Sequence, residues 1–110
     1  MTNSDQLMLV AVKAQVPFRI NGREVAVEED KTTVSLHSEV IVILSFKERK
    51  VSLVGKTMVS RKSARVFNTI LREFTDFEMV SREGQWILQS PLGEPMPVGK
   101  KGIILPMKRE

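Results

Sequence analysis

The 110-residue sequence contains no cysteine and no tyrosine, and it has one histidine, His37, and one tryptophan, Trp86. Without cysteine the chain has no disulfide framework, no thiolate nucleophile and no cysteine-ligated metal. A general base needs a nucleophile or a substrate within hydrogen-bond reach, and with one histidine and no cysteine a metal site would have to be built from carboxylates alone. These absences predict a protein that is not an enzyme and that uses no metal and no other cofactor.

Long hydrophobic runs are absent as well. The two longest, at residues 7–12 and 40–44, are too short for a signal-peptide core or a membrane-spanning helix. The amino-terminal segment that precedes the first run carries Asp5 and no cationic residue. We therefore expect a cytoplasmic protein with no membrane partner. The chain length predicts a single domain over residues 1–110.

Two local patterns resemble phosphate or metal sites but lack what those sites need. Gly55-Lys56-Thr57 matches the end of a P-loop, yet the loop requires a glycine five positions before Gly55, where the sequence has Lys50. The acidic triplet at residues 28–30 lies in an extended segment, where consecutive side chains do not converge on one ion. Both segments are interpreted as turns. His37 is expected at the end of a strand, satisfied by backbone groups.

Positive charge is concentrated in the middle of the chain. The sequence has 17 Lys and Arg against 13 Asp and Glu, a net charge of +4. Seven of the cations and a single acid, Glu48, lie at positions 47–65, so this segment carries +6 and the rest of the chain −2. Concentrated positive charge favours a polyanionic partner. The candidate nucleic-acid-binding residues are Lys47, Arg49, Lys50, Lys56, Arg61, Lys62 and Arg65.

One amphipathic helix is predicted from about Arg61 to Phe74. Its apolar residues recur at i, i+3, i+4 and i+7, and Ser60 or Ser63 can cap its amino terminus. Cations in the first turns oppose the helix dipole, so this end of the helix is a candidate seat for a phosphate or a carboxylate. The core-facing residues are Phe67, Ile70, Leu71 and Phe74.

Short strands separated by turn signals are predicted over most of the remaining chain. Asn21-Gly22 is a strong two-residue hairpin turn between strands at 16–20 and 23–27. Residues 7–16 fit either a first strand or a short helix, which Pro17 would limit. Further strands are predicted at 32–36, 39–46, 51–54, 77–81, 85–89 and 102–105, with the apolar run at 40–44 in a central strand and an irregular segment before the last one.

These elements predict an α+β fold. The expected architecture is a mostly antiparallel, curled sheet of six or seven strands, or a small SH3-like or partly open barrel, with one packed helix at about 61–74. Phe46 and Phe77 are assigned to the core. Trp86 is the one candidate for an exposed stacking aromatic, and burial in the core is an equal alternative.

The order of several single residues between Val34 and Leu105 provides a further indication. His37 precedes an apolar strand, Ser60 and Ser63 open a helix that contains Asn68, and a hairpin with Trp86 follows. This arrangement resembles small bacteriophage-encoded proteins over about two-thirds of the chain. The resemblance implies a phage setting, in which small proteins without catalytic constellations tend to be host-takeover factors or nucleic-acid accessories, and it implies no site residues.

Two functions are therefore open. The first is non-enzymatic binding of nucleic acid through a basic surface at residues 47–65, largely by contacts with backbone phosphates. The alternative is a protein-binding module, either an inhibitor of a host enzyme or a component of a homo-oligomeric assembly, because an exposed sheet edge can extend the sheet of a partner.

Overall fold

The fold was analysed in a computed structural model that describes residues 4–54, 61–83, 85–91, 93, 95–97 and 103–108, except for the side chains of residues 61, 62 and 97. These residues form two helices and nine strands, an α+β architecture as predicted. In chain order the elements are α1 (Ser4–Ala14), β1 (Phe18–Ile20), β2 (Arg23–Val27), β3 (Thr32–Leu36), β4 (Glu39–Ser45), β5 (Lys50–Leu53), α2 (Arg61–Phe74), β6 (Glu78–Arg82), β7 (Gln85–Gln89), β8 (Met96–Pro97) and β9 (Ile103–Pro106).

Of the strand and the short helix that fit residues 7–16, the structure shows the helix, so the described chain has two packed helices and not the single one predicted. Met8, Ala11 and Val12 are buried at i, i+3 and i+4, the spacing of a helix that packs one face on the core. Gln15 then adopts a left-handed conformation with φ of 57°, and its side-chain amide donates to the carbonyl of Val12 at 2.7 Å. This cap ends α1 ahead of Pro17. The predicted bounds of α2, by contrast, are confirmed.

Antiparallel pairing joins all the neighbouring strands of the described residues, in two sheets. The first sheet has the order β1-β2-β3-β4-β5-β9, and the second has the order β6-β7-β8. The hairpins predicted around Asn21-Gly22 and after Ser81 are present. The two-residue strand β8 adds regular structure to the tail that was predicted to be irregular.

The barrel alternative is not what the structure shows. The six-stranded sheet ends at β1 on one side and β9 on the other, and these two strands do not pair with each other. The face that a barrel would enclose is covered instead by the buried sides of α1 and α2, so the sheet has no need to close on itself to bury its apolar residues.

A β-bulge explains the unbroken apolar run in β4. Val34 pairs with Val42, whereas the next residue, Ser35, pairs with Val40, so Ile41 is an extra residue without a partner. Ile41 and Val42 are therefore both buried, although they are adjacent in sequence. The strand is central, between β3 and β5, as predicted.

Buried apolar side chains of both helices and both sheets form one cluster. Leu71 of α2 and Leu88 of β7 are completely buried in it, together with Leu44 of β4. The radius of gyration, 13.2 Å, matches the value of about 13 Å expected for a compact chain of this length. None of the described helices is both long enough and apolar enough to cross a membrane.

The aromatic residues differ in part from the prediction. Phe77 and Trp86 are half-buried against the core cluster. Phe46, which was assigned to the core, lies in the turn after β4 with 36% of its surface exposed. The alternation of β4 ends at Ser45, so Phe46 belongs to the turn and is not placed by the pleat of the sheet.

Candidate functional site

A polar cleft lies between the first turn of α1, the start of β2 and one face of α2. Its volume is about 560 Å³. These elements are far apart in the sequence. They come together because α1 and α2 pack on the same side of the sheet. The lining residues are Ser4, Asp5, Gln6, Arg23, Arg65, Asn68, Thr69 and Arg72.

The α2 wall of the cleft is the polar face of an amphipathic helix. Arg65, Asn68, Thr69 and Arg72 follow one another at i, i+3, i+4 and i+7, the spacing that places side chains on one helix face. The opposite face is buried in the core. The same periodicity that anchors α2 in the core therefore directs two arginines towards the cleft.

Arg23 and Asp5 form an ion pair within the cleft. The Arg23 Nε–H donates to an oxygen of the Asp5 carboxylate, and the side chains are only 11% and 15% exposed. Arg23 also donates to the carbonyl of Asn21 at 3.1 Å. This guanidinium is thus held in place from two sides, and Asp5 contributes the one carboxylate among the lining residues.

The two arginines that α2 contributes to the cleft are more accessible. Arg72 donates to the Glu78 carboxylate at 2.6 Å, but the two side chains are 67% and 48% exposed, so water competes strongly for this pair. Arg65 is exposed, and among the described residues its guanidinium has no ion-pair partner. An incoming anion can bind Arg65 without first displacing a protein carboxylate.

The remaining polar groups of the α2 wall hold the structure together. The Asn68 side chain donates to the carbonyl of Met79 at 2.9 Å and accepts from the Met79 amide at 2.7 Å, which fixes α2 against β6. The Thr69 hydroxyl donates to the carbonyl of Arg65 at 2.8 Å. These contacts position the helix face that carries Arg65 and Arg72.

Hydrogen bonds connect the cleft to the turn between β4 and β5. Lys108 donates from Nζ to the carbonyl of Arg72 at 3.1 Å, and the Arg49 guanidinium donates to the carbonyl of Lys108 at 2.7 Å. The cations of the cleft, of this link and of the turn are together called the basic belt, and its members are Arg23, Arg65, Arg72, Lys108, Arg49, Lys47 and Lys50. The acids paired within it are Asp5, Glu48 and Glu78.

The structure places the predicted binding residues at two ends of α2. Lys47, Arg49 and Lys50 are exposed at the β4–β5 turn, near the carboxyl end, whereas Arg65 is in the cleft. The first turn of α2 is about 20 Å from that end. Arg61 and Lys62 belong to this first turn, but their side chains lie outside the described atoms, as does Lys56 altogether.

Three members of the basic belt were missed by sequence reasoning. Arg72 carries a usable signal, because it follows Arg65 by seven positions on the predicted helix. Arg23 and Lys108 carry none, since each is brought to the site by tertiary packing from a distant part of the chain.

Other candidate chemistry is sparse. No group of three or more potential metal ligands occurs among the described residues. His37 directly follows β3, at the end of a strand as expected, and its main-chain amide donates to the carbonyl of Gly22 at 2.7 Å.

The class defined by these observations is an α+β protein with an arginine-lined cleft and a basic belt. No family model matches the chain, and no curated protein and no solved structure is significantly similar to it.

Proposed function

We propose that this protein is a non-enzymatic nucleic-acid-binding protein that contacts backbone phosphates through the basic belt. One observation carries the proposal: Arg65 and Arg72 on α2 present exposed guanidinium groups to one cleft, which the nearly buried Arg23–Asp5 pair also lines. Guanidinium groups bind phosphate oxygens in a bidentate manner, and phosphate contacts supply most of the affinity of sequence-independent binding.

The belt extends this contact beyond a single phosphate. Lys108 and Arg49 continue it to the β4–β5 turn, so a polyanion can contact both the cleft and the turn. Each contact releases counterions, and binding is therefore expected to weaken as the salt concentration rises. The same proposal includes a host-takeover or accessory role of the protein in a phage, in the cytoplasm of the host. Binding to a protein partner and self-association stay predictions.

The test is binding of labelled single- and double-stranded DNA and RNA, measured by fluorescence polarisation over a series of salt concentrations. The Arg65→Ala/Arg72→Ala variant should bind more weakly, and the slope of log affinity against log salt should fall by about one to two units. The control variant is Lys31→Ala/Arg82→Ala, which removes two exposed cations outside the belt. Its slope should stay close to that of the wild type.

Two results would contradict the proposal. If the wild-type protein binds none of the nucleic acids at low salt, nucleic-acid binding is excluded. If it binds but the cleft variant and the control variant lose the same affinity, the binding site lies outside the cleft.

A further inference from the structure

Phe46 is an exposed aromatic side chain in the most basic turn of the described chain. Seven large hydrophobic side chains are exposed among the described residues, and Phe46 is the only aromatic one. It is followed in sequence by Lys47, Arg49 and Lys50, three cations of the basic belt. The ring is therefore available for contact with a ligand that the neighbouring cations attract.

The ring is held in a fixed position. It packs edge-to-face on Phe74, the last residue of α2, with the ring centroids 5.5 Å apart and the planes at 77°. This contact orders the Phe46 side chain while 36% of its surface stays accessible. A ligand that stacks on the ring therefore pays little conformational entropy to order it.

The turn that carries Phe46 is held on both sides. The Ser45 hydroxyl accepts from the Glu48 amide at 3.2 Å, and Arg49 adopts a left-handed conformation with φ of 56°. The carbonyl of Arg49 accepts from the Met107 amide at 2.8 Å, and its guanidinium reaches the carbonyl of Lys108. The turn that carries the aromatic ring and the nearest cations is therefore held in place by contacts on both sides.

Proteins that bind single-stranded nucleic acid combine a positively charged track for the backbone with aromatic side chains on which bases stack. Both parts are present here, because Phe46 lies at the end of the basic belt. In a duplex the faces of the bases are stacked on each other and cannot reach the ring. We propose that Phe46 stacks on a base and that the nucleic acid bound by the belt is single-stranded, an inference that rests on the proposed function.

The decisive variant is Phe46→Leu, which keeps an apolar side chain against Phe74 and removes the aromatic face. Three kinds of probe are compared: a labelled single strand of about twelve nucleotides, the corresponding duplex, and inorganic polyphosphate. The single strand is tested both as DNA and as RNA. Loss of one stack should weaken single-strand binding by about fivefold to thirtyfold. Polyphosphate has no bases, so its affinity should be unchanged, and the salt slope should also stay the same because no charge is removed.

A matched control makes the same chemical change elsewhere. Phe18→Leu alters a half-buried phenylalanine on β1, at the opposite edge of the sheet from β5 and β9, and should leave single-strand affinity unchanged. Urea unfolding of both variants verifies that they are folded. The Phe46→Trp variant should bind the single strand at least as tightly as the wild type, and its added fluorescence should be quenched on binding.

The outcomes separate this inference from the proposed function. If the wild type binds neither nucleic acid nor polyphosphate, the proposed function fails and the stacking role fails with it. If the wild type binds but Phe46→Leu keeps full single-strand affinity, or if the duplex binds more tightly than the single strand, only the inference about Phe46 is overturned.

Discussion

Asp5 shapes the cleft at the scale of single residues, because its carboxylate is already paired with the Arg23 guanidinium when a ligand arrives. The pair is nearly buried, so it both fixes the Arg23 side chain and lowers the positive potential of the cleft. A phosphate that enters must tolerate this carboxylate nearby. Asp5 therefore trades affinity for structural order.

The variant Asp5→Asn tests this trade. Removing the negative charge should raise affinity for a nucleic-acid strand about threefold to tenfold, as measured by polarisation at constant salt. The same variant should lower the free energy of unfolding by about 1–3 kcal/mol in a urea titration, because a hydrogen bond between charged groups is weakened.

Glu24→Gln provides the matched control for Asp5→Asn. It removes the same charge from the exposed pair with Arg19, whose side chains are 78% and 39% accessible, and it should change stability by less than about 0.5 kcal/mol. Glu24 follows Arg23 in β2 and so points to the other face of the sheet. Equal gains in affinity for the two variants would mean that net charge, and not the position of Asp5, controls binding.

The helix α2 connects the core to the basic belt at the scale of single elements. Its apolar side is buried, its polar side lines the cleft, and its carboxyl end is capped by the Lys108 amine on the carbonyl of Arg72. A cation is favourable at this end of a helix. The first turn at the opposite end contains no acidic residue, so an anion near its free N–H groups would be favourable.

Asn68 joins α2 to β6 through both ends of its side-chain amide. The variant Asn68→Ala should lower the free energy of unfolding by about 2–3 kcal/mol, because the amide and the carbonyl of Met79 lose a part-buried partner together. The measurement is urea denaturation followed by circular dichroism. Since the variant loosens the helix face with Arg65 and Arg72, single-strand affinity should fall as well.

Thr69→Ala is the control for Asn68→Ala. Thr69 is the next residue on the same helix, and among the described residues its hydroxyl bonds to the carbonyl of Arg65 alone, within that helix. Its loss should cost no more than about 0.5 kcal/mol. A similar cost for both variants would show that the bonds of Asn68 to β6 contribute little.

The whole molecule is expected to unfold as one unit, because the two sheets share a single hydrophobic cluster. Trp86 reports on the three-stranded sheet through its fluorescence, and far-ultraviolet circular dichroism reports on α1 and α2. The two signals should give the same urea midpoint. Leu71→Ala, in the centre of the cluster, should lower both midpoints together, with a loss of about 2–5 kcal/mol in stability.

A Trp86 transition at a lower urea concentration than the helical transition would contradict this expectation. It would mean that the sheet of β6, β7 and β8 opens by itself, and that the second sheet is a separate cooperative unit.

Elements with strong local signals could be predicted from the sequence. The bounds of α2 follow from a 3.6-residue apolar period, and the first hairpin follows from Asn21 and Gly22, whose φ values of 51° and 80° are those of a tight hairpin turn. Residues 7–16 had no such signal, since a run of consecutive apolar residues fits a strand as well as a helix.

The position of the site follows only from the tertiary structure. Arg23 and Lys108 join α2 by packing between segments far apart in sequence, and no periodicity records such a contact. The turn after β4 takes Phe46 out of the core, although an aromatic residue that directly follows an apolar strand is expected to continue that strand. Local chemistry therefore determined most of the secondary structure and the sign of the charge, whereas the packing of α1 and α2 on one sheet determined which cations share a surface.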